Sequence, residues 1–298
     1  MSSLFWALAV RDQARRLATA RTIREVLTRG AGHVIRLVLA LILLFPMIWL
    51  VLGSVKPLNE VFIFPPVWIP HPVRWINFVK IWSLAPFAQH FVNSFTISGL
   101  STVGDIFSSA LVGFAFARMD FPGRNVLFGL CLSTLMLPYA VTLVPQFIIF
   151  RYLHWINTFL PLIVPHWFGT PFSIFLYRQF FRTIPTDLEE VAVIDGASVW
   201  VILTRIMMPL AKPAVVTVAV FTFVGTWNDF LNPLIYLDSH RLYTVALGLS
   251  FFSGDYGTQY ENLLMTGSTL AAIPIIVLFI VAQRYFVQGI VMSGIAGR

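Results

Sequence analysis

The chain has 298 residues, of which 58% are hydrophobic, 15% aromatic and only 11% charged. Soluble globular proteins average about 45–50% apolar and about 25% charged residues, so this composition excludes a disordered chain and an ordinary soluble domain. The chain has one cysteine, Cys131, and therefore no internal disulfide, and no Cys/His cluster has the spacing of a zinc site. We predict an all-α, polytopic membrane protein.

Six apolar segments are long enough to cross a membrane, which takes about 20 residues in a helix. Two of them contain a carboxylate, Asp105 in the second and Asp229 in the fifth. The chain is thereby divided into a basic N-terminal segment (1–36), a transmembrane domain (37–290) and a short tail (291–298). The predicted spans are Leu37–Val55, Phe91–Phe116, one within Asn125–Phe150, one within Tyr152–Tyr177, Pro213–Leu237 and Asn262–Gln283.

Basic residues fall unevenly on the two sides of these spans. Fifteen of the 20 Lys and Arg residues lie on the side of the termini, and the other five lie on the opposite side. Because basic loops resist translocation, both termini are predicted to be cytoplasmic, with the loops 56–88 and 238–261 outside. This distribution favours membrane lipid, and not nucleic acid, as the reason for the net charge of +7. The Pro- and Trp-rich segment 57–75 predicts an ordered extracytoplasmic cap.

The loop between the fourth and fifth spans, about 183–212, is longer than a usual connector. Thr186 and Glu189 have the spacing of a capping box, in which each side chain satisfies a free backbone donor. This predicts a short helix that runs to about Ile194. Gly196 suits the left-handed residue that closes such a helix.

A second helix is predicted directly after this turn. Ser198 can cap a helix over Val199–Met208, which Pro209 and Pro213 are expected to stop. Four apolar side chains of that helix share one face at spacings of three and four: Trp200, Leu203, Ile206 and Met207. The loop therefore predicts a helix–turn–helix platform outside the membrane, with an apolar ridge that requires a partner.

The same loop contains a spaced motif: Glu190-Val191-Ala192, three residues, Gly196, nine residues, Ile206, one residue, and Met208-Pro209. It resembles the E-A-A, three residues, G, nine residues, I, one residue, L-P signature of permease subunits of bacterial ATP-binding-cassette (ABC) importers. Val191 and Met208 depart from that signature as apolar substitutions. The strings Ile194–Ser198 and Trp227–Leu231 resemble the carbohydrate branch, with the closest likeness to the second permease subunits of maltose and glycerol-3-phosphate importers. The resemblance covers about residues 37–298.

This resemblance implies a coupling role for the loop, which in that family docks into a groove of a cytoplasmic ATPase. It implies a bacterial or archaeal plasma-membrane protein that is not itself an enzyme and binds no cofactor, with ATP and Mg on separate ATPase subunits. The implied partners are a second permease subunit, an ATPase dimer and an extracytoplasmic solute-binding protein, and the solute is a sugar or a sugar-like compound. The residues expected to carry the coupling are Glu190, Ala192, Asp195, Gly196, Ala197, Ile206 and Pro209.

A second group of residues is a candidate for the substrate pathway. It combines hydrogen-bonding groups with an aromatic ring, as sugars require, and consists of Trp227, Asn228, Asp229 and Asn232. The alternative is that this group braces a kink at Pro233 or the interface with the partner permease. Asp105 is expected to be structural.

Two other classes of membrane protein are alternatives to an importer permease. A secondary transporter would need a pseudo-repeat with paired broken helices, and we find none in the sequence. An intramembrane hydrolase or transferase would need Asp105 and Asp229 together in a wet cavity. The sequence leaves open whether the solute is a disaccharide, an oligosaccharide, a polyol or a glycerol phosphate.

Overall fold

The computed structural model describes residues 30–84, 86–253 and 260–295, so most of the basic N-terminal segment and the end of the predicted tail lie outside it. Every regular element in those ranges is a helix, as predicted. The α-helices are α1 Gly30–Ser54, α2 Asn77–Leu84, α3 Phe87–Arg118, α4 Arg124–Ser133, α5 Tyr139–Tyr152, α6 Leu160–Ile163, α7 Pro171–Thr183, α8 Asp187–Ile194, α9 Val199–Leu210, α10 Lys212–Trp227, α11 Leu231–Tyr236, α12 Val245–Leu249 and α13 Glu261–Ile295. The 3₁₀ turns are Leu58–Glu60, Thr134–Met136, Val164–Phe168, His240–Leu242 and Ser250–Ser253.

The chain divides into two compact units, one up to Gly53 and one from Ser54 onward. In the first unit, α1 continues as a helix through Pro46. Most of its apolar side chains are exposed, Leu43 the most of all, as suits a helix that faces lipid.

In the second unit, α3 lies against both α7 and α10. Small residues on α3 make this close packing possible, as is common between membrane helices. A Cβ atom on Gly104 would lie 2.4 Å from the ring of Trp167, and one on Gly113 would lie 2.6 Å from Cβ of Tyr177. Neither glycine can be enlarged without moving a neighbouring helix.

An apolar core joins α3 and α7 to the predicted platform. Phe114, Tyr177 and Phe181 come from the two long helices, while Ala192 comes from α8 and Met207 from α9. All five are buried. The platform is therefore packed into the body of the second unit and is not a free loop.

The third predicted span is not one straight helix. Its two halves, α4 and α5, are bent by 101° at a short break. Leu137 is extended and precedes Pro138, and the residue before a proline disfavours the α conformation. The absence of charge in this segment predicts one continuous helix, whereas Pro138 lies at the break.

The fourth and fifth predicted spans are also interrupted. Within Tyr152–Tyr177 the chain forms only the short helix α6 and a 3₁₀ turn before Gly169, which has φ +81°. Helix α7 then runs to Thr183, beyond the predicted end. The fifth span is split into α10 and α11 by residues 228–230, so Asp229 lies in the break.

Three helices in the described part of the chain, α1, α3 and the apolar part of α13, are long and apolar enough to cross a membrane. The number rises to five if each sharply bent pair, α4 with α5 and α9 with α10, counts as one span. The count of six spans stays a prediction.

Candidate functional site

The turn of the platform has the conformation that its sequence predicts. Gly196, two residues after the end of α8, has φ +78°. The amide of Ala197 donates to the carbonyl of Ala192 at 2.9 Å, and the amide of Gly196 donates to the carbonyl of Val193 at 3.0 Å. This pair of bonds is the Schellman arrangement, which requires a left-handed residue at the glycine position. The predicted end of α8 at Ile194 is confirmed.

The second platform helix differs from its prediction at its end. Ser198 caps it as expected, because its Oγ accepts from the amide of Val201 at 3.4 Å. Pro209 does not stop the helix, which continues to Leu210 and includes a π-helical stretch over Ile202–Met207. Because the first turn of a helix needs no amide donor, Pro213 sits without penalty at the start of α10.

The predicted capping box is wrong. Thr186 has helical backbone angles, and its side chain makes no capping hydrogen bond. Glu189 instead forms an ion pair with Arg118 of α3, with Nε and Oε1 2.8 Å apart. The raised pKa of Glu189 follows from its burial, which the nearby guanidinium of Arg118 opposes.

Arg118 also ties the platform to the end of α7. Its Nη2 donates to the carbonyl oxygens of Phe181, at 2.7 Å, and of Ile184. One guanidinium therefore joins α3, the last carbonyls of α7 and the side chain of Glu189 in α8. The sequence does not predict this junction, because its members lie far apart in the chain and no motif relates them.

The predicted apolar ridge of α9 is divided between two environments. Leu203 and Met207 are buried in the core of the chain, and Ile206 is packed against it. Trp200 points away from that core and is 59% exposed. The expectation that all four require an external partner is therefore wrong for the buried members.

The predicted coupling residues separate in the same way. Ala192 is buried, and Ala197 packs partly against the core. Four others are exposed on the platform: Glu190, Asp195, Gly196 and Pro209. The exposed face thus presents acids and a tight turn, with Ile194 84% exposed beside them.

Asp105 lies in the packed centre of the second unit and is fully buried. Its carboxylate accepts hydrogen bonds from hydroxyls on three helices: Ser109 of α3 at 2.6 Å, Ser173 of α7 at 2.8 Å and Thr222 of α10 at 2.6 Å. Thr170 adds its amide at 3.0 Å and its hydroxyl at 3.3 Å. By accepting from these five donors, the carboxylate of Asp105 joins α3, α7 and α10.

Asp229 has a different environment. Its two oxygens accept from the backbone amide of Asn232 at 3.2 Å and from the Nδ2 of the same residue at 2.8 Å. The Oδ1 of Asn232 in turn accepts from the hydroxyl of Tyr139 in α5. Asp229 therefore holds Asn232 in the first turn of α11, and Asn232 links that turn to α5.

A cavity of about 520 Å³ lies beside this network. Asp229 and Asn232 line it, as do Tyr139 and Gln146 of α5. A second cavity of about 480 Å³ shares Asp229 and Asn232 with the first. Tyr139 and Gln146 are seven residues apart, so they fall on one helix face; that spacing of polar groups in an apolar segment could have identified them.

The other two candidates for the substrate pathway do not join this cavity. Trp227 is buried, donates from Nε1 to the carbonyl of Ala271 at 3.1 Å, and packs against the ring of Phe95. Asn228 is exposed at the end of α10. Trp227 is thus part of the helix packing, where its ring is not free to stack on a sugar.

Residues 109–292 match the family described as "Binding-protein-dependent transport system inner membrane component". The chain belongs to this family. Its fold is also similar to a chain in the crystal structure of a bacterial ABC transporter involved in the import of the acidic polysaccharide alginate. The TM-score is 0.75 at 22% identity, over 86% of this chain and 95% of that one.

Two curated relatives have similar lengths. The arabinooligosaccharides transport system permease protein AraQ of Bacillus subtilis (strain 168) is 34% identical over 88% of this chain and 93% of its own. The trehalose/maltose transport system permease protein MalG of Thermococcus litoralis is 30% identical over 92% and 99%. The importer-permease family predicted from the platform motif is confirmed. The chain is a multi-pass inner-membrane component of an ABC importer.

Proposed function

We propose that this chain is one of two permease subunits of an ABC importer for a sugar or sugar-like solute. The chain itself is non-catalytic, while ATP and Mg bind to a cytoplasmic ATPase dimer and an extracytoplasmic protein delivers the solute. The names of the relatives AraQ and MalG support a carbohydrate. The paired polar and aromatic groups around Asp229 support the same class of solute.

The observation that carries this proposal is the platform of α8 and α9. Its exposed Schellman turn at Gly196 offers a close approach to a partner, because no side chain covers the turn. Glu190 and Asp195 are exposed next to it and can pair with basic groups of an ATPase. Arg118 fixes the platform to α3 and α7. A force applied at the turn therefore acts on packed helices.

The direction of the chain follows from its charges. Fifteen of its 20 Lys and Arg residues lie on the side of the platform, so both termini and the platform are cytoplasmic in this proposal. The segment 57–75 is then extracytoplasmic and offers a surface for the solute-binding protein. In this proposal the permease domain spans residues 37–290.

Replacing Gly196 by valine tests the coupling role. A side chain in the left-handed conformation costs about 1–2 kcal/mol, which is too little to unfold the membrane domain but enough to displace the turn. We expect Gly196→Val to reach the membrane normally and to lose most of its solute uptake. Co-purification of the ATPase subunit should fall with it. Glu190→Ala should reduce uptake more mildly.

Gly123 provides a matched control. It has the same φ of +78°, no atom lies within 4 Å of its would-be Cβ, and it belongs to another predicted cytoplasmic loop. Gly123→Val therefore introduces the same strain outside the platform and should leave uptake near wild type. Equal uptake by both valine variants would show that the platform is an ordinary connector.

A further inference from the structure

We propose that the cavity beside Asp229 accepts uncharged, hydroxyl-rich solutes and rejects anionic ones. This inference rests on the proposed function, because it names the class of solute that the permease conducts. It divides the possibilities left open by the sequence: neutral disaccharides, oligosaccharides and polyols are favoured, whereas glycerol phosphate and acidic sugars are disfavoured.

The charge of the cavity wall is the first argument. Seventeen residues line the larger cavity, and Asp229 is the only Asp, Glu, Lys or Arg among them. The adjoining cavity has the same property, with Asp229 again the only such residue in its wall. An anionic solute in either space would face this carboxylate, and no Lys or Arg of these walls offsets the repulsion. His166, which lines both cavities, is the only other side chain of these walls that can carry a charge near neutral pH.

Basic side chains line a different cavity of this unit. Arg74 and Lys80 border a space of about 590 Å³ between the segment after α1, α2 and the start of α13. Most of its lining residues lie in the predicted extracytoplasmic loops, and none of them borders the two cavities at Asp229. An anion attracted to the first space would have to leave its counter-charges to reach the second.

Hydrogen-bonding capacity is the second argument. A carboxylate offers about four acceptor sites, and the described partners of Asp229 occupy two of them through Asn232. The remaining acceptor sites match the donors of a hydroxyl group. Gln146 adds an amide that can donate and accept.

The apolar part of the wall suits the other face of a sugar. Phe150, Trp155 and Phe168 line the same cavity as Asp229. Rings of this kind contact the C–H face of a pyranose or furanose while the polar groups hold its hydroxyls. The volume of about 520 Å³ is within the range of about 300–1,000 Å³ that small-molecule sites have.

Binding to the purified importer complex tests this specificity without the solute-binding protein, which would otherwise select first. The complex contains this chain, the partner permease and the ATPase dimer. The probes are neutral pentose and hexose di- and trisaccharides and polyols, each compared with an acidic counterpart such as a uronic acid disaccharide. We expect a neutral probe to bind at least tenfold more tightly than its acidic counterpart.

Two variants test whether the side chain of Asp229 is what distinguishes neutral from acidic probes. Asp229→Asn keeps the shape of the wall and removes its charge, so the preference for neutral probes should shrink several-fold. Asp238→Asn removes an exposed carboxylate that lines neither cavity, and it should leave the preference unchanged.

Three outcomes overturn the proposal: tight binding of acidic probes, an unchanged preference in Asp229→Asn, or no binding of any probe to a complex that hydrolyses ATP. The last outcome would show that the cavity is not a solute site, but it would not contradict the role of the chain as a permease subunit. Failure of the ATPase to co-purify with the wild-type chain would instead contradict the proposed function.

Discussion

Two aspartates in apolar segments of this chain have opposite environments. Asp105 is fully buried and accepts five hydrogen bonds from residues of α3, the start of α7 and α10. Asp229 lies in a break between helices, accepts two hydrogen bonds from one neighbour and lines two cavities. The same sequence signal, a carboxylate in an apolar segment, therefore marks a junction between helices in one case and an open polar site in the other. The number of hydrogen-bond donors around each carboxylate distinguishes the two sites, whereas the apolar pattern around each aspartate does not.

The largest loss of stability that this comparison predicts is that of the Asp105→Leu variant. The substitution leaves the hydroxyls of Ser109, Ser173 and Thr222 buried without their acceptor. We expect a loss of at least about 3 kcal/mol of stability, because each buried unsatisfied donor costs about 1–3 kcal/mol. The amount of protein in the membrane and the apparent Tm in detergent should both fall. Similar losses in Asp229→Leu would erase the distinction between the two aspartates.

An intermediate effect is expected when a single donor is removed from the junction. Thr222 donates to Asp105 at 2.6 Å, whereas Thr226, one turn later, donates to the carbonyl of Thr222 at 2.8 Å. Thr222→Val should cost about 1.5–3 kcal/mol, the usual range for a hydrogen bond to a charged group. Thr226→Val, its matched control on the same helix, should cost less than about 1 kcal/mol. Thermal unfolding of the two variants side by side measures the difference, and equal costs would show that the hydroxyl–carboxylate bond contributes little.

The smallest effect on stability is expected at Asp229. Asp229→Ala removes two hydrogen bonds from Asn232 in the first turn of α11 at a partly exposed site, and we expect a cost of about 1 kcal/mol. Uptake should fall more than stability, since the same carboxylate lines the cavity. A Tm shift as large as that of Asp105→Leu, with uptake reduced only in proportion to the remaining folded protein, would favour a bracing role at Pro233.

Local features of this fold follow from local sequence. The closing turn at Gly196, the cap at Ser198 and the end of α8 at Ile194 are each determined by a few adjacent residues, and the structure has all three as predicted. The structural assignment of Asp105 also agrees with its surroundings, because an unpaired carboxylate in an apolar segment must find donors.

Features that depend on distant residues could not be predicted in this way. Glu189 has the spacing of a capping box, but Arg118, about 70 positions earlier, provides a stronger partner for its carboxylate. The breaks at Pro138 and Gly169 differ from the prediction because an absence of charge indicates an apolar segment but not a continuous helix. Prolines and glycines in those segments contained the missing information.

The single residue between α9 and α10 has a consequence for how movement spreads. Ala211 is fully buried, and the two helices bend by 80° around it. From there α10 extends for 16 residues, about 24 Å at 1.5 Å per residue, to the break that contains Asp229. If α10 moves as one rigid helix, a tilt of the platform displaces the end of α10 that lies next to the cavity. The proposed solute site and the turn at Gly196 are thus connected through α10 and α9, with Ala211 at the bend between the two helices.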